Sequence, residues 1–168
     1  MSPTGHMAIG FIAKYYTPRT PVLLLLIAAY LIDILYFGFV IIGLDKVDCS
    51  VWSHSLLMAI VWSVITILIS LLITKKSRLS IILGILVFSH WILDFLVWND
   101  LPITFNPSYT TGLGLYNIIG FDPANIQFDK AIIIATEIEL GLLAFGLMIY
   151  FRAIKKQKVN KVRQHNSI

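Results

Sequence analysis

Four apolar runs decide what this chain can become. Residues 22–44, 51–74, 79–98 and 131–151 are nearly free of charge, and each reaches about 30 Å as a helix, enough to cross a bilayer. Composition agrees, since 58% of the 168 residues are hydrophobic and only 13% charged, far from the averages of water-soluble domains. The expected architecture is all-α: a polytopic membrane helix bundle of four transmembrane helices plus a short N-terminal helix. That helix, residues 5–16, is too short to span and ends at Thr17-Pro18-Arg19-Thr20-Pro21, where two prolines enforce a turn. Residues 1–151 form a single integral-membrane domain and residues 152–168 a basic tail, expected to be frayed. Residues 99–130, with Pro102, Pro107, Pro123, Gly112, Gly114 and Gly120, read as a long ordered loop or a pair of half-helices without strands.

The formal charge of +4 would suit a nucleic-acid binder if the basic residues formed a patch. Instead they cluster beside apolar runs, as Lys75-Lys76-Ser77-Arg78 and from Arg152 to Arg163, and such clusters are topology signals. No nucleic-acid partner is expected. The 17–21 turn, the 75–78 loop and the tail hold most of the cations, whereas Asp45, Asp48, Asp100, Asp122 and Asp129 accompany Lys46 and Lys130 on the other side. By the positive-inside rule the basic elements and the C-terminus are cytoplasmic, in a multi-pass cell-membrane protein. The first apolar stretch lacks a basic flank and a small-residue cleavage site, so no cleaved signal peptide is expected. A single cysteine, Cys49, excludes an intramolecular disulfide.

Against this apolar background the ionisable residues stand out. Ser89-His90-Trp91-Ile92-Leu93-Asp94 places an imidazole and a carboxylate at i and i+4, on one face of a helix. Each charged group at mid-membrane costs on the order of 2.5–3.5 kcal/mol. At about 1.5 Å per residue from the cytoplasmic ends, Asp33 and His90 reach the same height, roughly 18 Å, and Glu139 and Glu137 come close to it. If residues 5–16 fold back from the proline turn, His6 arrives beside Asp33. His54 is the exception, roughly 30 Å above Lys75. The residue types in this set, His6, Asp33, His54, His90 and Asp94 with Glu137 and Glu139 behind, are those that zinc and other first-row divalent cations prefer.

Each has a plainer reading. His90 and Asp94 could form only a packing hydrogen bond, worth about 1 kcal/mol. His54 lies near an interface, where a neutral imidazole costs little. Glu137 and Glu139, two apart on a helix, cannot both face inward, and Glu139 is the one expected to. Trp52, Trp91, Trp98, Tyr109 and Tyr116 are expected in the interfacial belts, or lining a lipid-sized groove. Asp33, in the middle of an apolar run, resists a packing explanation.

Gly5-His6, Asp33, the block Ser53-His54-Ser55-Leu56-Leu57, and Ser89-His90 with Asp94 followed by Leu101-Pro102 together resemble the YdjM-like family of membrane-bound, metal-dependent hydrolases, over residues 5 to about 117. That family is linked in turn to the zinc-dependent phospholipase C and single-strand nuclease superfamily. The resemblance implies that Asp33, His54, His90 and Asp94 hold one metal and that His6 joins Asp94 at a second, with Glu139 or Glu137 the nearest match to a further acidic ligand. Where many members carry another acidic residue and a histidine after the first aspartate, this chain has Leu35 and Tyr36. Where they carry His-Arg before the histidine block, it has Cys49-Ser50.

The expected function is hydrolysis, dependent on a divalent metal such as zinc, of a phosphoester in a membrane lipid or lipid-linked substrate. Asp33 or Asp94 would act as the catalytic base. The alternative is a non-catalytic membrane protein that binds and passes protons or metal ions, a small transporter or a subunit of one.

Overall fold

In hydrocarbon every backbone N–H and C=O must find its partner inside the chain, which makes helices of the apolar runs. The computed structural model describes residues 3–43, 49–120 and 130–165; Asp45, Lys46, Asp48, Asp122, Pro123 and Asp129 lie outside them. The described residues form an all-α bundle: α1 (Pro3–Tyr16), α2 (Val22–Ala29), α3 (Leu31–Ile41), α4 (Cys49–His54), α5 (Leu56–Thr74), α6 (Ser77–Val97), α7 (Leu115–Ile118) and α8 (Lys130–His165). Within them Leu56–Thr74, Ser77–Val97 and Ile132–Val159 are long and apolar enough to cross a membrane, and α2 with α3 makes a fourth candidate.

That fourth candidate departs from the expectation of one continuous helix. The chain breaks at Tyr30 and bends by 63°, with Asp33 in the first turn of α3. Another departure sits at Ser55, whose backbone is extended and whose hydroxyl accepts the Met58 amide at 3.2 Å to cap α5. His54 therefore ends the short helix α4 rather than beginning the span.

The third departure is in the loop. Contrary to the expectation of no strands, Leu101–Pro102 pairs antiparallel with Thr110–Thr111 as a two-residue ribbon. Backbone bonds from Leu57 to Ile103 (3.1 Å) and from Leu113 to Phe95 (2.7 Å) fasten the loop to α5 and α6. Finally, the tail is not frayed as far as residue 165: α8 runs 36 residues, about 54 Å. Ala153 is buried and Lys156 Nζ lies 5.4 Å from the Tyr15 ring centre, so the basic segment packs on α1 as far as Lys156.

Helix directions follow from the contacts. Thr4 meets Glu139, Ala8 meets Gly146 and Phe11 meets Tyr150, so α1 and α8 run parallel. Gly10 packs on Leu26, and His6 on His90, so α1 is antiparallel to α2 and α6. The 17–21 turn, the 75–76 turn and the basic end of α8 consequently share one end of the bundle. Small residues permit the closest crossings: a Cβ at Gly146 would lie 2.7 Å from the Ala8 carbonyl oxygen, and one at Gly84 would lie 3.0 Å from that of Ser63. Leu25, Ile32, Ala59, Leu86, Val87 and Trp91 form the core. Leu23, Phe37, Leu72, Ile85 and Phe145 point outward, the apolar exterior of a membrane protein. Trp91 does not join an interfacial belt, since it is buried and stacked between Phe88 and Phe95. Tyr116 is buried as well, while Trp52 and Tyr109 are exposed.

Candidate metal centre

The break at Tyr30 builds the centre. An unbroken helix would bond the Ala29 carbonyl to the amide four residues on. Here that carbonyl instead accepts from His90 Nδ1 at 2.9 Å. With Nδ1 carrying the proton, a neutral His90 presents a bare lone pair at Nε2. That atom is buried with no hydrogen-bond partner, and lies 3.4 Å from Asp33 Oδ1 and 3.3 Å from Asp94 Oδ2.

His54 is oriented the same way. Its Nδ1 is 2.8 Å from Ser53 Oγ, which turns Nε2 inward, 3.3 Å from Asp33 Oδ1 and 3.9 Å from Asp94 Oδ2. His6 arrives from α1 as its height implied. Its ring stacks on His90 with centroids 3.8 Å apart and planes 6° off parallel, edge-on to Tyr30 at 5.9 Å. His6 Nε2 lies 3.5 Å from Asp94 Oδ1, and Nδ1 is buried with no hydrogen-bond partner. Five residues from α1, α3, α4 and α6 thus converge.

The spacing identifies what they could hold. Charge-assisted N–H···O bonds settle at about 2.7–2.9 Å, whereas the imidazole–carboxylate contacts among these five residues run from 3.3 to 3.9 Å, that of His54 Nε2 with Asp33 Oδ1 still within hydrogen-bond reach. Donor atoms set tetrahedrally at about 2.0–2.1 Å from a zinc-sized cation stand about 3.3–3.4 Å from one another. Three of the cluster's separations are 3.3, 3.3 and 3.4 Å. Two sets, His6–Asp33–His90 and His54–His90–Asp94, each bring one donor atom per residue within 4.8 Å of the others and could hold a metal ion. Two carboxylates balance one divalent charge, and the ring N–H of His90 is held by a carbonyl, as metal-ligating imidazoles commonly are. The donor set therefore fits a divalent cation.

Burial grades across the cluster. The His90 and Asp94 side chains are 0% and 5% exposed, His54 is 16% and Asp33 33%. Asp33 and His54 accordingly form the accessible edge, and His6, His90 and Asp94 the closed floor.

Glu139 faces inward as expected, and Glu137 is exposed. Glu139 falls outside both candidate groups, however. Its carboxylate accepts from Thr4 Oγ1 at 2.5 Å and from the Tyr116 hydroxyl, joining α1, α7 and α8 beside the centre. Sequence reasoning missed the Ala29 carbonyl, Ser53, Thr4 and Tyr116. Of these only Ser53, adjacent to His54, carried a signal. Comparison of the chain with family models, with curated proteins and with solved structures gives no match.

Proposed function

We propose that this protein is a membrane-embedded hydrolase dependent on a divalent metal such as zinc, acting on a phosphoester in a lipid or lipid-linked substrate. The observation that carries the reading is the spacing of His54 Nε2, His90 Nε2, Asp33 Oδ1 and Asp94 Oδ2, with the His90 lone pair turned into the gap by the Ala29 carbonyl. The motif resemblance to YdjM-like hydrolases supports it. A divalent cation bound there supplies Lewis acidity, which polarises a phosphoryl oxygen and acidifies a nucleophilic water. Asp33 turns Oδ1 to the imidazoles and is the more exposed of the two carboxylates, so it would be the group to accept a proton from the attacking water. Asp94 and His90 hold position from the buried floor, and His6 braces His90 by stacking. By the positive-inside rule the basic end is cytoplasmic, and substrate arrives at the Asp33–His54 edge from the opposite leaflet.

A second reading, passage of protons or metal ions, is favoured by the broken span. Interrupted helices, whose half-helix ends and freed carbonyls bind ions, are a common construction of ion sites in transporters. Metal analysis of the purified protein beside a His90→Ala, Asp94→Ala double variant, with hydrolysis assayed on a phospholipid panel, tests the proposal. Stoichiometric metal and chelator-sensitive phosphoester cleavage in the wild type, both lost in the variant, are expected. Metal binding without cleavage, accompanied by ion flux into proteoliposomes, would favour the second reading, and no metal in either protein would end both metal readings.

A further inference from the structure

A cavity of about 610 Å³ opens between α1 and α6 on the flank of the bundle, in the size range of small-molecule sites. Its walls are largely isoleucine: Ile9 and Ile12 from α1, Ile81 and Ile85 from α6. Ile81 and Ile85 are 50% and 60% exposed, so the groove is open along its side, where the bundle meets lipid. One end is different. There Tyr16, Ser77 and Arg78 line it, and the exposed Arg78 side chain has no ion-pair or hydrogen-bond partner among the described residues. From Arg78 the groove climbs α6 to Leu86, about 12 Å. It stops one helical turn short of the stacked rings, because Ile9 follows His6 by three positions and Leu86 precedes His90 by four.

An apolar slot with one cationic end, lying along a membrane-spanning helix, matches the two-part chemistry of a phospholipid. The guanidinium fork suits a phosphate, and the isoleucine walls suit an acyl chain. We propose that this groove holds one membrane phospholipid with an anionic headgroup, its phosphate at Arg78 and a chain running toward His6 and His90. Seated there, the lipid fills the space between α1 and α6. The site is separate from the metal centre and does not depend on hydrolysis.

The test is native mass spectrometry of the full chain, delipidated in mild detergent and offered phosphatidylglycerol or phosphatidylcholine, with metal content read on the same samples. The wild type is expected to retain one phosphatidylglycerol per chain in preference to phosphatidylcholine. Arg78→Gln should bind phosphatidylglycerol roughly tenfold more weakly, the loss of a hydrogen bond to a charged group. Ile85→Trp, which fills the groove from its lipid side, should retain neither lipid. Both variants should keep the wild-type metal content, which separates failure here from failure of the metal centre. Equal retention in all three proteins overturns the proposal. So does a lipid-free dimer of the wild type that Ile85→Trp dissociates, because the occupant is then a second copy of the chain.

Discussion

Two glycines on one helix should respond oppositely to the same substitution. Gly146 of α8 touches α1: an added Cβ would sit 2.7 Å from the Ala8 carbonyl oxygen and 2.8 Å from the Ala8 Cα. Backbone cannot swing aside as a side chain does. Relief to ordinary contact requires α1 to retreat by roughly 0.6 Å or more, an overpacking of the kind that costs about 1–3 kcal/mol. Gly141, on the same helix, has nothing within 4 Å of the place a Cβ would occupy, and alanine there gains about 0.5–1 kcal/mol of helix preference. At about 2–4 °C per kcal/mol for a chain of this size, Gly146→Ala should lower the melting temperature in detergent by several degrees and Gly141→Ala should raise it slightly. The retreat also presses His6, two residues before Ala8 and on the opposite face of α1, against the His90 ring, so Gly146→Ala should weaken metal binding while Gly141→Ala leaves it alone. Thermal unfolding with and without added zinc reads both effects. Equal shifts for the two variants, or unchanged metal affinity in Gly146→Ala, would refute the link between helix contact and site.

Ser53→Ala removes the hydroxyl at His54 Nδ1, and the loss of an orienting partner of this kind should cost about 10–100-fold in metal affinity, measured by competition with a chromophoric chelator. Glu139→Gln should leave metal content unchanged, because Glu139 serves Thr4 and Tyr116 rather than the cluster. Its two hydroxyl donors then compete for one carbonyl oxygen, and stability should fall by about 1–3 kcal/mol in a thermal melt. Removing the metal with a chelator should lower the melting temperature of the wild type, since a ligand bound only by the folded chain stabilises it, and should leave His90→Ala unmoved.

The helices and the convergence are legible in the residues because a bilayer makes few demands and makes them strictly. Length of apolar run marks the spans, and counting residues from the basic ends puts His6, Asp33 and His90 at one level. The two breaks stay hidden. Neither Tyr30 nor Ser55 lies beside a proline or glycine, so nothing local marks them. The Tyr30 break is accompanied by a tertiary bond, the Ala29 carbonyl to His90, which replaces the helical one. Ser55 is a good cap, but a serine inside an apolar run is commonplace in a membrane helix. The polarity of the tail suggests solvent, whereas Ala153 and the Lys156–Tyr15 contact seat it against α1. The inward turn of Glu139 can be read from its spacing, but its hydroxyl partners come from α1 and from a loop whose course the sequence does not disclose.

The metal centre stands or falls on X-ray absorption spectroscopy at the zinc edge of the metal-loaded protein. A first shell of four nitrogen and oxygen donors at about 2.0–2.1 Å, with the outer-shell scattering of two imidazoles that falls away in His90→Ala, is the predicted result. A shell of oxygens alone, or zinc that washes out during purification in lipid, would contradict it.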